Sequence, residues 1–176
     1  MAKFKLTAES RVFSGRTLFR VQALISFGTV RADELGGFVE KESNLAQDGN
    51  AWVSGNAQVY GDAWVSGNAQ VSGNAWVSGN AWVSGNAQVC GNARVRGDAR
   101  VRGNAQVYGN AQVSKTPIVI SGLAFSITIS DLHIAVGCQM GTFAECLGET
   151  GEVVARAEDQ LPLLETVRAL LRVLRP

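Results

Sequence analysis

Arginine and tryptophan side chains that could bind an anionic partner are concentrated in one stretch of the chain. Four arginines fall within nine residues, although the whole chain carries a formal charge of only +1. They are Arg94, Arg96, Arg100 and Arg102, and they follow three tryptophans, Trp64, Trp76 and Trp82. Guanidinium groups pair with phosphates and carboxylates and stack on aromatic rings. These seven residues form a candidate binding surface, but four arginines are too few to favour a nucleic acid as the partner.

Residues that could carry catalysis are scarce. His133 is the single histidine and the one candidate for a general base. A strand histidine that bonds a neighbouring group is the simpler interpretation of it. Asp62 and Asp98 occupy positions that suit turn residues. The sequence has no recognisable Ser/His/Asp arrangement, phosphate-binding loop, metal-ligand cluster or pair of catalytic carboxylates. We therefore assign no catalytic residue, no metal ligand and no cofactor.

The arginines and tryptophans belong to eleven uninterrupted copies of a six-residue phrase, Gly-Asn/Asp-Ala-x-Val-x, from Gly49 to Ser114. In extended chain, successive side chains face opposite ways, so each Val points inward and both variable residues point out. The Gly-Asn-Ala segment makes the corner, because Gly accepts positive φ, Asn tolerates left-handed backbone and a methyl fits inside. A short fixed period predicts stacked coils of parallel strand, since no copy can bury its own apolar groups.

Three copies per coil of eighteen residues predict a triangular solenoid with nearly four regular coils and three faces. One face carries Trp64, Trp82 and Arg100. The second carries Gln58, Trp76, Arg94 and Gln112, and the third carries Trp52, Gln70, Gln88 and Gln106. All four tryptophans are thus expected to point outward, which is unusual for a soluble surface. Three interpretations stay open: ladders that stabilise the coils, an oligomer interface, or a site for a ligand or anionic partner.

The segments outside the regular repeat predict three parts. Residues 1–36 form a β-rich cap over the first coil, residues 37–114 form the solenoid, and residues 115–176 form strands followed by an amphipathic helix from Leu161 to Leu174. That helix is expected to close the open end or to mediate oligomerisation. Val39, Leu45 and Ala51 continue the six-residue spacing, which places Lys41 and Gln47 at the inward Val position. Strands outside the repeat are predicted at 3–7, 17–25, 118–120, 125–129 and 132–138.

The repeat resembles the hexapeptide-repeat family of left-handed parallel β-helices, with Val at the inward aliphatic position and Ala at the small corner position. The resemblance covers about two fifths of the chain and implies the left-handed coil. Many members are homotrimeric acyltransferases that bind a donor such as acetyl-coenzyme A between subunits, often with a histidine as base. An acyl- or nucleotidyl-binding transferase is therefore an alternative here, with His133 as its candidate base. The repeat lacks the inserted loop that arches over such active sites.

The stretch Leu35-Gly-Gly-Phe-Val-Glu-Lys-Glu-Ser-Asn-Leu45, which leads into the repeats, is similar to a narrower group. This group consists of small proteins of bacteria and their phages or prophages, mostly without an assigned activity. The resemblance implies a phage or prophage origin. Such an origin makes interference with a host defence or another host factor a reasonable expectation by analogy.

Cysteine usage and hydropathy indicate a reducing, cytoplasmic setting. Cys90, Cys138 and Cys146 are odd in number and lack Cys-x-x-Cys spacing, and no stretch approaches a membrane span. The N-terminal residues also lack the apolar core of a signal peptide. The overall expectation is an all-β, left-handed β-helix that acts as a non-catalytic binding or assembly module, forms a homotrimer and binds a host protein or a small anionic ligand. The second alternative is a structural phage component.

Overall fold

The computed structural model describes residues 2–120, 127–131, 133–136 and 139–142. These residues form strands, loops and a short 3₁₀ turn at Glu42–Asn44, so the all-β prediction is confirmed. The chain divides into two compact units, Met1–Met140 and Gly141–Pro176, and Gly141 and Thr142 are the described residues of the second. The expected helix at 161–174 lies outside the described residues, as do Cys138 and Cys146. The described part contains no helix long and apolar enough to span a membrane.

Three longer strands precede the repeat and four short strands follow it. The first three are β1 (Phe4–Phe13), β2 (Arg16–Ala23) and β3 (Leu35–Val39). Each repeat then contributes two residues of strand, in the order β4 (Trp52–Val53), β5 (Gln58–Val59), β6 (Trp64–Val65), β7 (Gln70–Val71), β8 (Trp76–Val77), β9 (Trp82–Val83), β10 (Gln88–Val89), β11 (Arg94–Val95), β12 (Arg100–Val101), β13 (Gln106–Val107) and β14 (Gln112–Val113). The last four are β15 (Ile118–Ile120), β16 (Ile127–Ile129), β17 (His133–Val136) and β18 (Gln139–Thr142).

The repeat strands pair in parallel every eighteen residues and form a β-solenoid with three faces, as predicted. The hairpin face contains β3, β5, β8, β11 and β14, the glutamine face contains β4, β7, β10 and β13, and the tryptophan face contains β6, β9 and β12. Each coil donates backbone N–H groups to the next, as Trp64 does to the carbonyl of Ala81 at 2.9 Å. The repeat valines and alanines are buried and form one continuous core.

Each corner of the coil is built by glycine and asparagine. The repeat glycines have φ between 62° and 70°, a left-handed conformation that glycine adopts at low cost. Gly85 also lies close to the next coil, because a Cβ built there would approach the Gly103 nitrogen to 2.8 Å. The asparagine amides form ladders along the corners, with Asn50 donating to Asn68 at 3.1 Å and Asn68 to Asn86 at 3.0 Å. The corners therefore connect successive coils through side chains as well as backbone.

The register of the opening coil differs from the prediction by two residues. Val39 and Leu45 take the inward Val position, since they lie opposite Val59 and Val65. The separation is twenty residues instead of eighteen, so two extra residues are accommodated before β4. Lys41 and Gln47, which were expected to point inward, are exposed. The prediction was wrong because it assumed that the six-residue spacing continued unbroken across the corner at residues 46–51.

The hairpin formed by β1 and β2 continues the hairpin face beyond β3. β2 runs antiparallel to β3, with Phe19 opposite Val39 and Arg20 opposite Phe38. Phe4 and Val21 belong to the same apolar core as the repeat valines. The opening coil is therefore covered by apolar side chains and paired backbone, and it does not present a bare apolar end.

A buried lysine satisfies the carbonyl end of the coil stack. Because each coil donates N–H groups to the next, the carbonyl groups of the opening coil point away from the stack. The Lys3 ammonium donates to the carbonyl oxygens of Asp48 and Ala51, both at 3.0 Å. Lys3 is only 2% exposed, and its side chain also lies 4.9 Å from the centre of the Phe27 ring. A cation therefore occupies the end where oxygen acceptors accumulate.

At the opposite end of the stack, backbone N–H groups are exposed, and side-chain oxygen atoms accept hydrogen bonds from them. The Asp131 carboxylate accepts a hydrogen bond from the backbone N–H of Ser114 at 2.7 Å, and the Thr128 hydroxyl accepts one from the N–H of Gln106 at 3.1 Å. Both acceptors belong to the segment around the four-stranded sheet β15–β18, whose first three strands pair antiparallel and lie where the sequence predicts strands. Each end of the solenoid thus has side chains whose charge or polarity complements its exposed backbone groups.

Candidate binding surface

Trp64, Trp82 and Arg100 form a ladder on the tryptophan face. They occupy equivalent positions on β6, β9 and β12. The two indoles lie 5.6 Å apart between centroids and meet edge to face at 83°, and the Arg100 guanidinium carbon lies 5.0 Å from the Trp82 ring centre. Trp64 is 38% exposed and Trp82 is 44% exposed. The predicted column is present, with crossed rings instead of a parallel stack.

Trp76 and Arg94 form a corresponding pair on the hairpin face, but the hairpin covers the tryptophan. Phe13, at the end of β1, contacts the Trp76 ring edge to face at 4.7 Å, and it lies 5.8 Å from the Tyr60 ring. The Arg94 guanidinium lies 4.4 Å from the Trp76 ring centre. Trp76 is therefore half-buried and already has an aromatic neighbour. It is less available to a partner than its outward position in the repeat suggests.

The expectation that all four tryptophans are exposed is wrong, because Trp52 is buried. Its side chain does point away from the coil interior, but Phe27 lies against it at 5.4 Å in edge-to-face geometry, and Trp52 is only 2% exposed. The sequence indicates which way the side chain points, whereas burial depends on what folds over it. Trp52 anchors the segment between β2 and β3, and it does not belong to the open surface.

The four arginines of the collar, defined as Arg94, Arg96, Arg100 and Arg102, are all exposed. Within the described residues none of them forms an ion pair, and the hydrogen bond from Arg96 to the Gln112 side chain is long, at 3.4 Å. Asp98 lies between the two strands and accepts a hydrogen bond from Asn80 at 2.9 Å. The collar therefore presents four guanidinium groups on one coil, with a single carboxylate nearby in sequence.

The arginines of the hairpin are engaged in a way that the collar arginines are not. Arg16 pairs with Glu40 at 2.7 Å, and Arg20 pairs with Glu9 at 3.0 Å. The Arg11 guanidinium stacks 3.5 Å from the Phe38 ring centre and donates to the carbonyl of Asn56 at 3.1 Å. The arginines of the hairpin therefore help to hold the hairpin in place, whereas the arginines of the collar direct most of their hydrogen-bond donors to solvent.

His133 lies in β17, in the four-stranded sheet and away from the repeat strands in sequence. It is half-buried, and its Nδ1 atom has no hydrogen-bond partner among the described residues. The described chain holds no group of three or more His, Cys, Asp or Glu side chains able to bind a metal. Within the described residues, no hydrogen bond joins the His133 imidazole to a nucleophile or to a carboxylate.

Cys90 occupies an outward position on the glutamine side of the coil, where other repeats carry serine. It is half-buried and forms no disulfide among the described residues. Burial raises the pKa of the Cys90 thiol above its usual value, which favours the protonated, less nucleophilic form. The side chain fits a packing role better than a reactive one.

The residues that decide which tryptophans stay exposed were not predicted from the sequence. Phe13 and Phe27 lie in the non-repeating part, where no period shows their partners. The available signal was indirect: both are large aromatic residues that directly precede or follow a serine or a glycine in segments outside the repeat. Lys3 was missed as well, because a lysine near a chain terminus is usually exposed.

Comparison with known protein families gives one match within the repeat. The family model of the YdcK beta solenoid repeat matches two stretches, residues 69–85 and 87–104. These stretches include β7 to β12 and all four arginines of the collar, and the match supports a β-solenoid repeat. A comparison with curated proteins finds no match.

Proposed function

We propose that this protein is a non-catalytic binding module that holds an anionic partner on the collar and the adjoining tryptophan face. The observation that carries the proposal is the set of four exposed arginines on one coil without a carboxylate partner in the described chain. Such a cluster costs stability through mutual repulsion unless an anion neutralises it. A purely structural ladder would not need four like charges on one coil.

The indole contacts support the proposal because they orient two of the arginines. The guanidinium groups of Arg94 and Arg100 lie over the Trp76 and Trp82 rings of the preceding coil. Stacking engages the flat face of a guanidinium and leaves its edge donors free for carboxylate or phosphate oxygens. Because a stacked side chain has already lost part of its rotamer freedom, less entropy is lost when the anion binds.

The biological setting belongs to the same proposal. The resemblance of Leu35–Leu45 to phage- and prophage-borne proteins favours a cytoplasmic phage protein that binds a host protein, with an effect on a host defence as the expected outcome. A homotrimer is the expected assembly by the same analogy. The proposal requires no cofactor, and it differs from a structural phage component in requiring a specific anionic partner.

The test replaces two collar arginines and measures binding to a defined polyanion. Arg94→Glu combined with Arg100→Glu should weaken the binding of fluorescein-labelled polyglutamate at least about tenfold in fluorescence anisotropy. The control is Lys5→Glu combined with Lys115→Glu, since both lysines are exposed and the net charge changes equally. Equal losses in the two variants would mean that binding follows net charge alone and that the collar is not a site. Absence of wild-type binding at low salt would also refute the proposal.

A further inference from the structure

The hairpin face contains a complete arrangement of three groups that the tryptophan face contains only in part. On the hairpin face, Trp76 has the Phe13 ring at 4.7 Å and the Arg94 guanidinium at 4.4 Å. Trp82 and Arg100 lie six residues after Trp76 and Arg94, at the same positions in their repeats, and therefore on the neighbouring tryptophan face. The indole and the guanidinium are therefore present on both faces, and the phenyl ring is supplied on one of them.

The chain covers its other tryptophans with its own phenylalanines. Phe13 lies against Trp76 and Phe27 lies against Trp52, both edge to face. Among the described residues, Trp64 and Trp82 have each other as aromatic ring neighbours, and both stay exposed. Two large exposed indoles side by side are uncommon on a soluble surface and typical of an interaction site.

We infer that the tryptophan face binds an acidic, phenylalanine-bearing segment of a partner protein. The phenyl ring packs against Trp82 and Trp64, as Phe13 packs against Trp76, and flanking carboxylates bond the edges of Arg100 and Arg102. This inference rests on the proposed function and deepens it, since it names the partner's chemistry and restricts the phenyl contact to one face.

Charge complementarity explains why the segment must be acidic. On the hairpin face the solenoid contributes Arg94 and Arg96, and the covering hairpin contributes Arg11, which stacks on Phe38, and Arg16, which pairs with Glu40 of the coil. On the tryptophan face the solenoid itself contributes the cations, Arg100 and Arg102, on the coil above the exposed indoles. A segment that covers this face therefore needs carboxylates opposite Arg100 and Arg102, which form no ion pair among the described residues.

The experiment compares three labelled synthetic peptides on the full chain by fluorescence anisotropy. The first has a central phenylalanine flanked by glutamates on both sides, the second has alanine at the centre, and the third has the phenylalanine flanked by lysines. We expect the phenylalanine–glutamate peptide to bind at least about tenfold more tightly than the alanine peptide. The lysine peptide should not bind.

Two variants and one control locate the contact. Trp82→Ala should remove the advantage of the phenylalanine peptide, and Arg100→Gln should weaken both glutamate peptides. The control Gln88→Ala changes an exposed outward residue on the glutamine face and should leave all affinities unchanged. Circular dichroism of Trp82→Ala checks the fold, and if that variant unfolds, Arg100→Gln carries the test.

The outcomes separate this inference from the proposed function. Equal affinity for the phenylalanine and alanine peptides would refute the phenyl site, while loss of polyglutamate binding in the collar variant would still uphold the anion-binding function. If an oligothymidylate binds more tightly than the phenylalanine and alanine peptides, and its binding depends on Trp82 in the same way, the partner is a single-stranded nucleic acid and the peptide proposal is refuted. Failure of both peptides and of polyglutamate would refute both proposals.

Discussion

Replacing Lys3 by methionine tests whether the carbonyl end of the solenoid depends on a buried cation. The ammonium donates two hydrogen bonds of 3.0 Å to backbone carbonyls of the opening coil and a longer one, of 3.5 Å, to the carbonyl of Gly49. Methionine keeps an unbranched apolar stem as far as the Cε position and lacks only the terminal ammonium. The substitution removes the donors and leaves the carbonyls of Asp48 and Ala51 without this partner.

The expected loss follows from those two short bonds. A hydrogen bond to a charged group contributes about 1.5–3 kcal/mol net, so two contribute about 3–6 kcal/mol. Part of this is offset because the variant no longer buries a charge. Burial lowers the pKa of Lys3 from its ordinary value of 10.5, while the charge of Asp48 opposes the shift. We therefore expect Lys3→Met to lower the free energy of unfolding by about 3 kcal/mol.

The lowered pKa adds a pH signature to the same experiment. Between the folded-state pKa of Lys3 and the ordinary value of 10.5, the unfolded chain binds the proton more tightly than the folded chain. The contribution of Lys3 to stability therefore rises with pH across that alkaline window. Wild-type protein should show this rise relative to Lys3→Met when both are compared in the same buffers.

Urea denaturation followed by circular dichroism and tryptophan fluorescence measures the effect. Two probes are needed because stacked repeats can lose structure from one end. The control is Lys5→Met, at an exposed position two residues further along the chain, in β1, which should change stability by no more than about 0.5 kcal/mol. If Lys3→Met is as stable as Lys5→Met, the ammonium does not support the carbonyl end and the reasoning fails.

Three further predictions follow from the coil geometry. Burial raises the pKa of Glu40, but the hydrogen bond from the Gly61 N–H and the charge and hydrogen bond of Arg16 lower it overall. The contribution of Glu40 to the stability of the fold is therefore present above pH 4.5 and lost in more acid solution. Glu40→Gln should therefore show a smaller fall in melting temperature than wild type between pH 6 and pH 3, and an equal fall would contradict this. Gly85→Ala should destabilise by at least about 1 kcal/mol more than Gly103→Ala in urea, because both have positive φ but only the first new methyl meets backbone among the described residues. Iodide should quench tryptophan fluorescence more strongly than caesium, since Trp82 lies under Arg100, and Arg100→Gln should reduce the difference.

The sequence predicted the repeating part of the fold well because one local rule determines each residue's environment. A period of six with Val and Ala at fixed places specifies the inward side chains, and three sides per coil specify which outward residues stack. The columns Trp64–Trp82–Arg100 and Trp76–Arg94 follow from that rule and are present. The rule ends where the period ends, and the register of Val39 and Leu45 was consequently misplaced.

The part that could not be predicted is the covering of outward residues by segments that lack a period. Burial of Trp52 requires knowing that Phe27 folds against it, and half-burial of Trp76 requires knowing where β1 ends. Both contacts join residues more than twenty positions apart. They depend on the path of a hairpin and a loop, for which one sequence offers no spacing to measure. For the same reason, the candidate surface predicted from the sequence has seven residues, which is more than the exposed tryptophan face of the structure contains.

Outward residues stack on one face at intervals of eighteen positions, and this spacing limits how the number of repeats can change without moving residues to another face. Removal of three consecutive repeats shortens the solenoid by one coil and leaves every later residue on the same face as before. Removal of a single repeat instead rotates all later residues by a third of a turn relative to the hairpin. Deleting Gly79–Ser84, for example, would bring Arg100 above Trp76 and Arg94 above Gln70, on the hairpin and glutamine faces. Functional insertions and deletions in this chain are therefore expected in whole coils, and a change of one repeat acts as a rotation of the binding surface around the axis.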